Sequence, residues 1–431
     1  MSTIPGVKKI HLVGIGGVGI SALAQLLHHD GYIISGTNDI ESPETLDRIR
    51  ELGVPIHLGA DIRNIDSDTD LVVYSAAWET RAPEFMEAIA ARGIPMKSYF
   101  EMVGEVSKGK KTIAVAGTHG KTTTTAMLAR ILRDANASPT AIVGSIVREF
   151  DSNYLAGTSE IFVVESCEYR RHFLNLTPTV LVVTNIEFDH SDYFKNLADV
   201  QSAFRSLMEK VPAHGAIITN PTDPNIAPLL EGLAAPVIDY GSEEVPQLQM
   251  PGEFNRMNAR GAASAARVSF PQITGEQIQD SLSKFEGTWR RFEFKGKTKN
   301  GADVYDDYAH HPTAIRKTIA AAKEKEPKKL FIAFHPHTYS RTRDLFDEFT
   351  TAFEGADCVL IAPIFAAREP DDGVTSSEKL AEHIRKAGVE ANAATFEEIK
   401  ELLEREPDEG DIVMTMGAGD IYKIANELVT P

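Results

Sequence analysis

The chain has 431 residues, 42% hydrophobic and 25% charged, with 44 basic and 62 acidic side chains giving a formal net charge of −18. At about 150 residues per domain this length predicts three domains, and the composition excludes both bulk disorder and a small disulfide scaffold. So acidic a surface repels phosphate backbones and anionic lipid, which argues against nucleic-acid and membrane partners. A small phosphorylated ligand held by local cations remains compatible with it.

Cys167 and Cys358 stand in no metal-binding pattern and fit a reducing compartment. The apolar run after Lys8 and Lys9 imitates a secretory leader as far as Ala22-Leu23-Ala24. Its glycines, however, suit a tight turn better than a translocating helix. No other stretch reaches the roughly 18 apolar residues of a membrane span. The expectation is a soluble cytoplasmic protein.

Short apolar runs at Lys9–Val13, Tyr32–Gly36, Pro55–His57 and Leu71–Ser75 read as strands, with helical patterns at Ser21–His29 and Ser42–Leu52 between them. This alternation predicts a largely parallel α/β layer. After the first strand comes GxGxxG, with Gly14, Gly16, Gly17 and Gly19. Such a turn lets backbone approach a pyrophosphate at a helix N-terminus. Asn38-Asp39 lies only approximately where a dinucleotide site needs its acid, so the motif leaves a dinucleotide, another nucleotide diphosphate and a ligand-free turn open. Gly104–Lys111, polar and glycine-bearing, reads as a linker.

A second α/β series follows, with strands near Thr112–Ala116, Ile161–Glu165, Val180–Thr184, Ala216–Thr219 and Val237–Tyr240. Gly117-Thr118-His119-Gly120-Lys121-Thr122-Thr123 occupies the turn between the first of these and the helical run Ala126–Leu132. Gly-Lys-Thr in that position cradles phosphate with backbone N–H groups, puts Lys121 on the β/γ phosphates and turns Thr122 toward Mg²⁺, although Val115 replaces the first glycine of the full motif. The expected ligands are ATP and Mg²⁺. Glu165 and Asn185 end neighbouring strands, with Glu187, Asp189 and His190 just beyond, and hard oxygens with an imidazole suit a cation beside a triphosphate. Glu168 and Asp192 read as solvated charges.

A basic, glycine-rich junction at Glu286–Gly301 precedes a third series, with strands near Asp303–Tyr305, Leu330–Phe334, Cys358–Ala362 and Asp411–Thr415. Loops at its strand ends carry Asp306-Asp307-Tyr308-Ala309-His310-His311-Pro312 and the stretch His335–Arg343. Recognition of a small substrate, with Arg341 taking a carboxylate bidentately, competes there with capped turns and satisfied imidazoles. Gly417-Ala418-Gly419-Asp420 is either a plain turn or a ligand contact.

Taken together, GIGGVGISALA at 14–24, GTHGKTTTTAM at 117–127, TNIEFDH at 184–190, PGEFNRMNA at 251–259, WRRFE at 289–293, DDYAHHPTAI at 306–315 and GAGDI at 417–421 resemble the Mur ligases in family order. The resemblance implies an α/β chain of three domains. These would be a Rossmann-like UDP-sugar domain (1–107), a central P-loop ATPase-type domain (108–288) and a C-terminal Rossmann-like domain that brings the amino acid (289–431). The activity implied is ATP-dependent ligation, in which the lactyl carboxylate of UDP-N-acetylmuramate is phosphorylated and the amine of L-alanine attacks the acyl phosphate. The enzyme would be a monomer or homodimer.

On this resemblance Gly14, Gly16, Gly17, Gly19 and Ser75 would face the UDP-sugar, and Gly117–Thr123 the triphosphate. Thr122, Glu165 and His190 would hold Mg²⁺, Asn255 and Asn258 the nucleotide, Arg291 phosphate and Asp307 the ribose. Tyr308, His310, His311 and Arg341 would line the amino-acid pocket, and Lys121, Glu165, His190 and His310 would be the catalytic set. The chain departs from the family pattern at Asn38 (usually Asp), Ser166–Arg171, Phe254 (commonly His) and Thr338 (usually Arg). Lys195 and Lys210 do not match the carbamylated lysine of some relatives. Rival readings are a nicotinamide-dependent dehydrogenase, a non-catalytic ATP-binding scaffold and a related ligase for a recycled peptide.

Overall fold

The structure, a computed structural model, describes residues 4–367 and 369–429. Three sheets follow one another along the chain. The first has five parallel strands in the order Ile56–Leu58, Ile33–Asn38, Lys9–Val13, Leu71–Tyr74, Met96–Ser98. The leader-like run lies at its centre: Lys9–Val13 is the middle strand, and the helix Val18–His29 after the glycine turn buries Ala22, Leu23 and Ala24. An alternation of β-branched strands with amphipathic helices produces this layer because parallel strands need covered faces.

The second sheet has seven strands in the order Val237–Asp239, Ala216–Thr219, Val180–Val183, Lys111–Ala116, Ile161–Glu165, Thr140–Val147, Ser152–Leu155, and only the last pairing is antiparallel. That last pair, a hairpin, carries polar residues and a glycine, so its pattern is weak in sequence. Its polar edge nevertheless binds the first layer. Asn153 Nδ2 donates to the Val18 carbonyl at 2.6 Å and to Ser21 Oγ at 2.8 Å, while Gln25 Nε2 donates to Asn153 Oδ1 at 2.9 Å. Accordingly the first two sheets share one compact unit, which runs through Glu187 and takes in Leu197–Gln247 and Met257–Phe285.

A second unit comprises Phe188–Asn196, Leu248–Arg256 and the chain from Glu286 onward. Its six-stranded sheet has the order Glu293–Lys297, Asp303–Asp307, Ile412–Gly417, Leu330–His335, Cys358–Ile361, Ala391–Ala393, with the first strand antiparallel to its neighbour. Apolar clusters fill both faces, one around Ile332, Phe334, Phe349 and Phe353, the other around Val304, Leu360, Ile399 and Ile424.

Two expectations are corrected. Gly104–Lys111 is a linker only in its second half: Gly104–Ser107 end the helix Tyr99–Ser107, where Gly104 is buried so close to Asn175 that a Cβ would meet its carbonyl oxygen at 2.6 Å, and 108–110 make the turn to the strand Lys111–Ala116. The Glu286–Gly301 junction contains the edge strand Glu293–Lys297, whose Phe294 pairs with Tyr305. Both cysteines are unpaired. Among the described residues no helix is long and apolar enough to cross a membrane.

Two histidines serve the fold. His11, fully buried, meets Ser35 Oγ and Thr37 Oγ1, each at 2.9 Å. His335 ends the third sheet's Leu330–His335 strand. Burial pushes both down to about 4. Because the unfolded side chains titrate near 6.5, their stabilising contribution is complete above that pH and is lost as pH falls toward 4, by about 2 kcal/mol per histidine between pH 7 and pH 5. Urea titrations at the two pH values measure this. In His11→Gln the loss between them is expected to shrink by that amount.

Candidate active site

Sheet order assembles the phosphate loop. Ile161–Glu165 and Val180–Val183 pair with Lys111–Ala116 on its two sides, so Glu165, Thr184 and Asn185 emerge next to Gly117. Thr184 Oγ1 donates to the His119 carbonyl at 2.6 Å and Asn185 Nδ2 to the same oxygen at 3.0 Å, while Asn185 Oδ1 accepts from His119 N at 2.9 Å. The Glu187 amide donates to Thr118 Oγ1 at 2.9 Å. The loop is thus clamped from the adjacent strand end before any ligand arrives. Gly120 (φ +83) opens the helix Lys121–Asp134, and a Cβ on it would lie 2.3 Å from Asn258 Oδ1. Asn258 is buried and its Nδ2 has no hydrogen-bond partner, which leaves a donor free beside the loop.

Lys121 does not lie open. Its Nζ donates to the Gly117 carbonyl at 2.5 Å and to Glu168 Oε2 at 2.9 Å. Burial opposes its charged form most strongly, but the neighbouring acidic groups, Glu168 foremost and Glu165 among them, together outweigh it and raise the pKa above the ordinary lysine value. Glu168, expected to be a solvated charge, is a buried counter-ion. Its position three residues after Glu165 in the same strand-end loop was the available signal. Thr122 Oγ1 donates to Glu165 Oε1 at 3.0 Å, and the Gly144 amide fixes Glu165 Oε2 at 2.7 Å. A hydroxyl and a carboxylate oxygen held that close are a donor set suited to Mg²⁺.

The GxGxxG turn is shaped largely by the protein itself. Gly16 N donates to Asn38 Oδ1 at 3.2 Å, and a Cβ on Gly16 would meet Asn38 Nδ2 at 2.5 Å; on Gly19 it would meet the Tyr99 ring at 2.9 Å. Asn38 also donates to the Ile40 carbonyl at 2.8 Å, so it braces the turn, while Asp39 pairs with Arg81 at 2.5 Å. Ser75 stands beside Gly14, because the strands preceding them are paired.

In the second unit the strand ends at Asp307, Gly417 and His335 are neighbours. Arg290, not singled out in the sequence, is buried there: Nε donates to Asp306 Oδ2 at 2.8 Å, Nη1 to the Gly419 carbonyl at 3.0 Å and Nη2 to that of Gly417 at 2.5 Å. The GAGD turn therefore has a structural occupant for its carbonyls. Arg291 lies with its guanidinium 4.8 Å from the Tyr308 ring centre. Asp307 is buried, accepting from Phe292 N at 2.7 Å, Ala309 N at 2.8 Å and Thr318 Oγ1 at 3.3 Å; burial raises its pKa. Asn255 donates to the Pro251 carbonyl at 2.7 Å and leaves its buried Oδ1 without a partner. Phe254 packs against the third sheet's core.

His310 Nδ1 faces the Tyr308 carbonyl at 2.8 Å, which places the proton on Nδ1 and leaves Nε2 as an acceptor. Burial, then the Arg341 charge, hold its pKa well below the usual value. His311 accepts from Thr313 N at 3.3 Å and caps the helix Pro312–Lys323. Thr338 caps the short helix Tyr339–Asp344 that carries Arg341. Asp189, grouped in the sequence with the cation ligands, instead pairs with Arg341 at 2.9 Å. His190 follows it with φ +57.

Family models match in three places: Mur ligase family, catalytic domain, at 9–111; Mur ligase middle domain at 115–249; and Mur ligase, glutamate ligase domain, at 290–419. The chain is 40% identical to a UDP-N-acetylmuramate–L-alanine ligase of Clostridium acetobutylicum, covering 97% of the chain and 96% of the relative. It is 38% identical to one of Clostridium kluyveri, with 97% of each covered. Among solved structures, the UDP-N-acetylmuramate–alanine ligase of Thermotoga maritima matches with TM-score 0.79 and 27% identity, covering 97% of this chain and 98% of that one. A murein peptide ligase of Psychrobacter arcticus shares the fold, with TM-score 0.73, 23% identity and coverage of 98% and 100%.

The clamped loop makes a direct prediction. Gly120→Ala forces Asn258 aside and strains a left-handed position, so nucleotide affinity is expected to fall at least about tenfold while the unfolding midpoint drops only modestly. Calorimetric titration of the variant beside the parent chain checks both.

Proposed function

The chain belongs to the Mur ligase family, and from that premise we propose that it joins L-alanine to the lactyl carboxylate of UDP-N-acetylmuramate at the expense of ATP. The observation that carries this reading is the phosphate loop: Lys121 sits in a clamped Gly117–Thr123 turn with Thr122 and Glu165 placed 3.0 Å apart beside it. A dehydrogenase leaves that loop without a purpose.

In the proposed reaction a carboxylate oxygen attacks the γ-phosphorus and the bond to ADP breaks. The amine nitrogen then attacks the acyl carbon, and inorganic phosphate leaves with the C–O bond electrons as the nitrogen gives up a proton. Lys121 would exchange Glu168 for phosphate oxygens, offsetting the charge that accumulates as carboxylate meets triphosphate. Amides of Gly120, Lys121 and Thr123 would cradle those oxygens. Mg²⁺ held by Thr122, Glu165 and His190 would neutralise part of the same charge.

Gly14, Gly16, Gly17 and Gly19 with Ser75 are assigned to the UDP-sugar. The amides of the first helical turn after Gly17 are the available donors, since those of Gly14 through Gly17 are already bonded within the protein. Asn258 beside the loop, with Asn255, Arg291 and Asp307, is assigned to the nucleotide. Asp307 already accepts three hydrogen bonds, from the Phe292 and Ala309 amides and the Thr318 hydroxyl, so it has one acceptor position left for a ribose. Tyr308, His310 and Arg341 are assigned to the amino acid, with the neutral His310 Nε2 available to accept from its amine. His311 supports them as a helix cap. The domain limits 1–107, 108–288 and 289–431, action in the cytoplasm and a monomeric or homodimeric state belong to the same proposal.

Phosphate release from ATP and UDP-N-acetylmuramate, measured with the amino acid varied, tests the reading. Stimulation by L-alanine is expected, and its absence overturns the proposal; stimulation by a peptide alone would transfer the chain to the peptide-ligase branch. Lys121→Ala is expected to cut turnover at least about a hundredfold with the circular dichroism spectrum intact.

A further inference from the structure

Arg341 is buried on the helix Tyr339–Asp344, and arginine offers five N–H groups and no acceptor. Nε and Nη2 both donate to a single oxygen, Asp189 Oδ1, at 3.1 and 2.9 Å. Nη1 donates to His337 Nδ1 at 2.7 Å. Since arginine only donates, His337 must carry its proton on Nε2. Three N–H groups are thus engaged, and two remain, the number that a carboxylate accepts in a bidentate pair.

Asp189 is itself held from its own segment. The same Oδ1 accepts the His190 N–H at 2.7 Å, across a residue with φ +57. The His190 carbonyl accepts from Tyr193 N and Phe194 N, both at 2.9 Å, and Ser191 Oγ donates to Asp344 Oδ2 at 2.7 Å, at the end of the arginine's helix. Each side chain of the pair is about one-tenth exposed, at 9% and 10%, so little water screens them. A carboxylate waiting to be displaced by substrate would not need this bracing.

We propose that Asp189 is a positioning residue, which with His337 fixes the Arg341 guanidinium so that its two remaining N–H groups meet the carboxylate of the incoming amino acid. The proposal rests on the reading above, in which Arg341 takes that carboxylate. An arginine held in one orientation loses less freedom on binding than a mobile one, so the effect falls on amino-acid affinity.

Asp189→Asn keeps the shape and removes the charge. Its KM for L-alanine is expected to rise at least about tenfold, with kcat at saturating alanine and the KM values for ATP and UDP-N-acetylmuramate within about threefold of the parent. Asp189→Glu, which moves the same charge by one methylene, is expected to raise the alanine KM less than Asn does. An alanine KM that is unchanged or lower in Asp189→Asn overturns the proposal, and so does a rise of all three KM values together with a fall in Tm. If Asp189→Asn does not fold, an unchanged alanine KM in Asp189→Glu overturns it instead. Arg341→Lys separates the two levels. If that variant leaves the alanine KM unchanged, the assignment of Arg341 fails; if it raises the KM while Asp189→Asn does not, only the positioning role fails.

Discussion

The register of Lys111–Ala116 between its two neighbours is the constraint on which the phosphate site depends. Val115 stands opposite Glu165 on one side, and Ala116 opposite Val183 on the other. Parallel pairing releases all three strands at the same sheet edge, so one loop, one carboxylate and one Thr-Asn pair emerge together. A one-residue slip would turn Glu165 to the opposite face and remove the clamp on His119. Hydrogen bonds at 2.6 to 3.0 Å from Thr184 and Asn185 then hold the loop in shape.

A chain of net charge −18 has to keep its functional cations from collapsing onto arbitrary acids, and it does so by pairing them. Lys121 is held by Glu168, Arg341 by Asp189, and Arg290 by Asp306. Lys121 spends its three N–H groups on the Gly117 and Thr118 carbonyls and Glu168 and frees one for an anionic ligand only by releasing Glu168, whereas the Asp189 pair leaves Arg341 two donors. The third pair fixes the strand ends instead, because the Arg290 guanidinium also serves the Gly417 and Gly419 carbonyls. Breaking a buried pair of this kind typically costs about 3–5 kcal/mol, which is why each partner is as constrained as the cation it serves.

Much of the fold was legible because it rests on local periodicity. The parallel strands, the Gly-Lys-Thr turn and the carboxylate ending Ile161–Glu165 all follow from patterns a few residues long. The Thr140–Leu155 region was not legible: Gly144 and Ser145 interrupt the apolar run of Thr140–Val147, and Ser152–Leu155, which carries the Asn153 that meets Gln25 of the first layer, is short and polar enough to look like loop. Gly104 misled for a related reason, since glycine that permits a close backbone approach and glycine in a linker are identical in sequence.

The sequence by itself determined the layer type, the phosphate loop and which residues are chemically able to act, because each depends on residue type at short spacing. Only the tertiary structure decided the partners. Glu168 against Lys121 spans 47 positions and Asp189 against Arg341 spans 152, and Arg290 rather than its neighbour Arg291 takes the buried carboxylate. Which acid meets which cation is set by strand order and packing, and no local pattern encodes a contact between segments that distant.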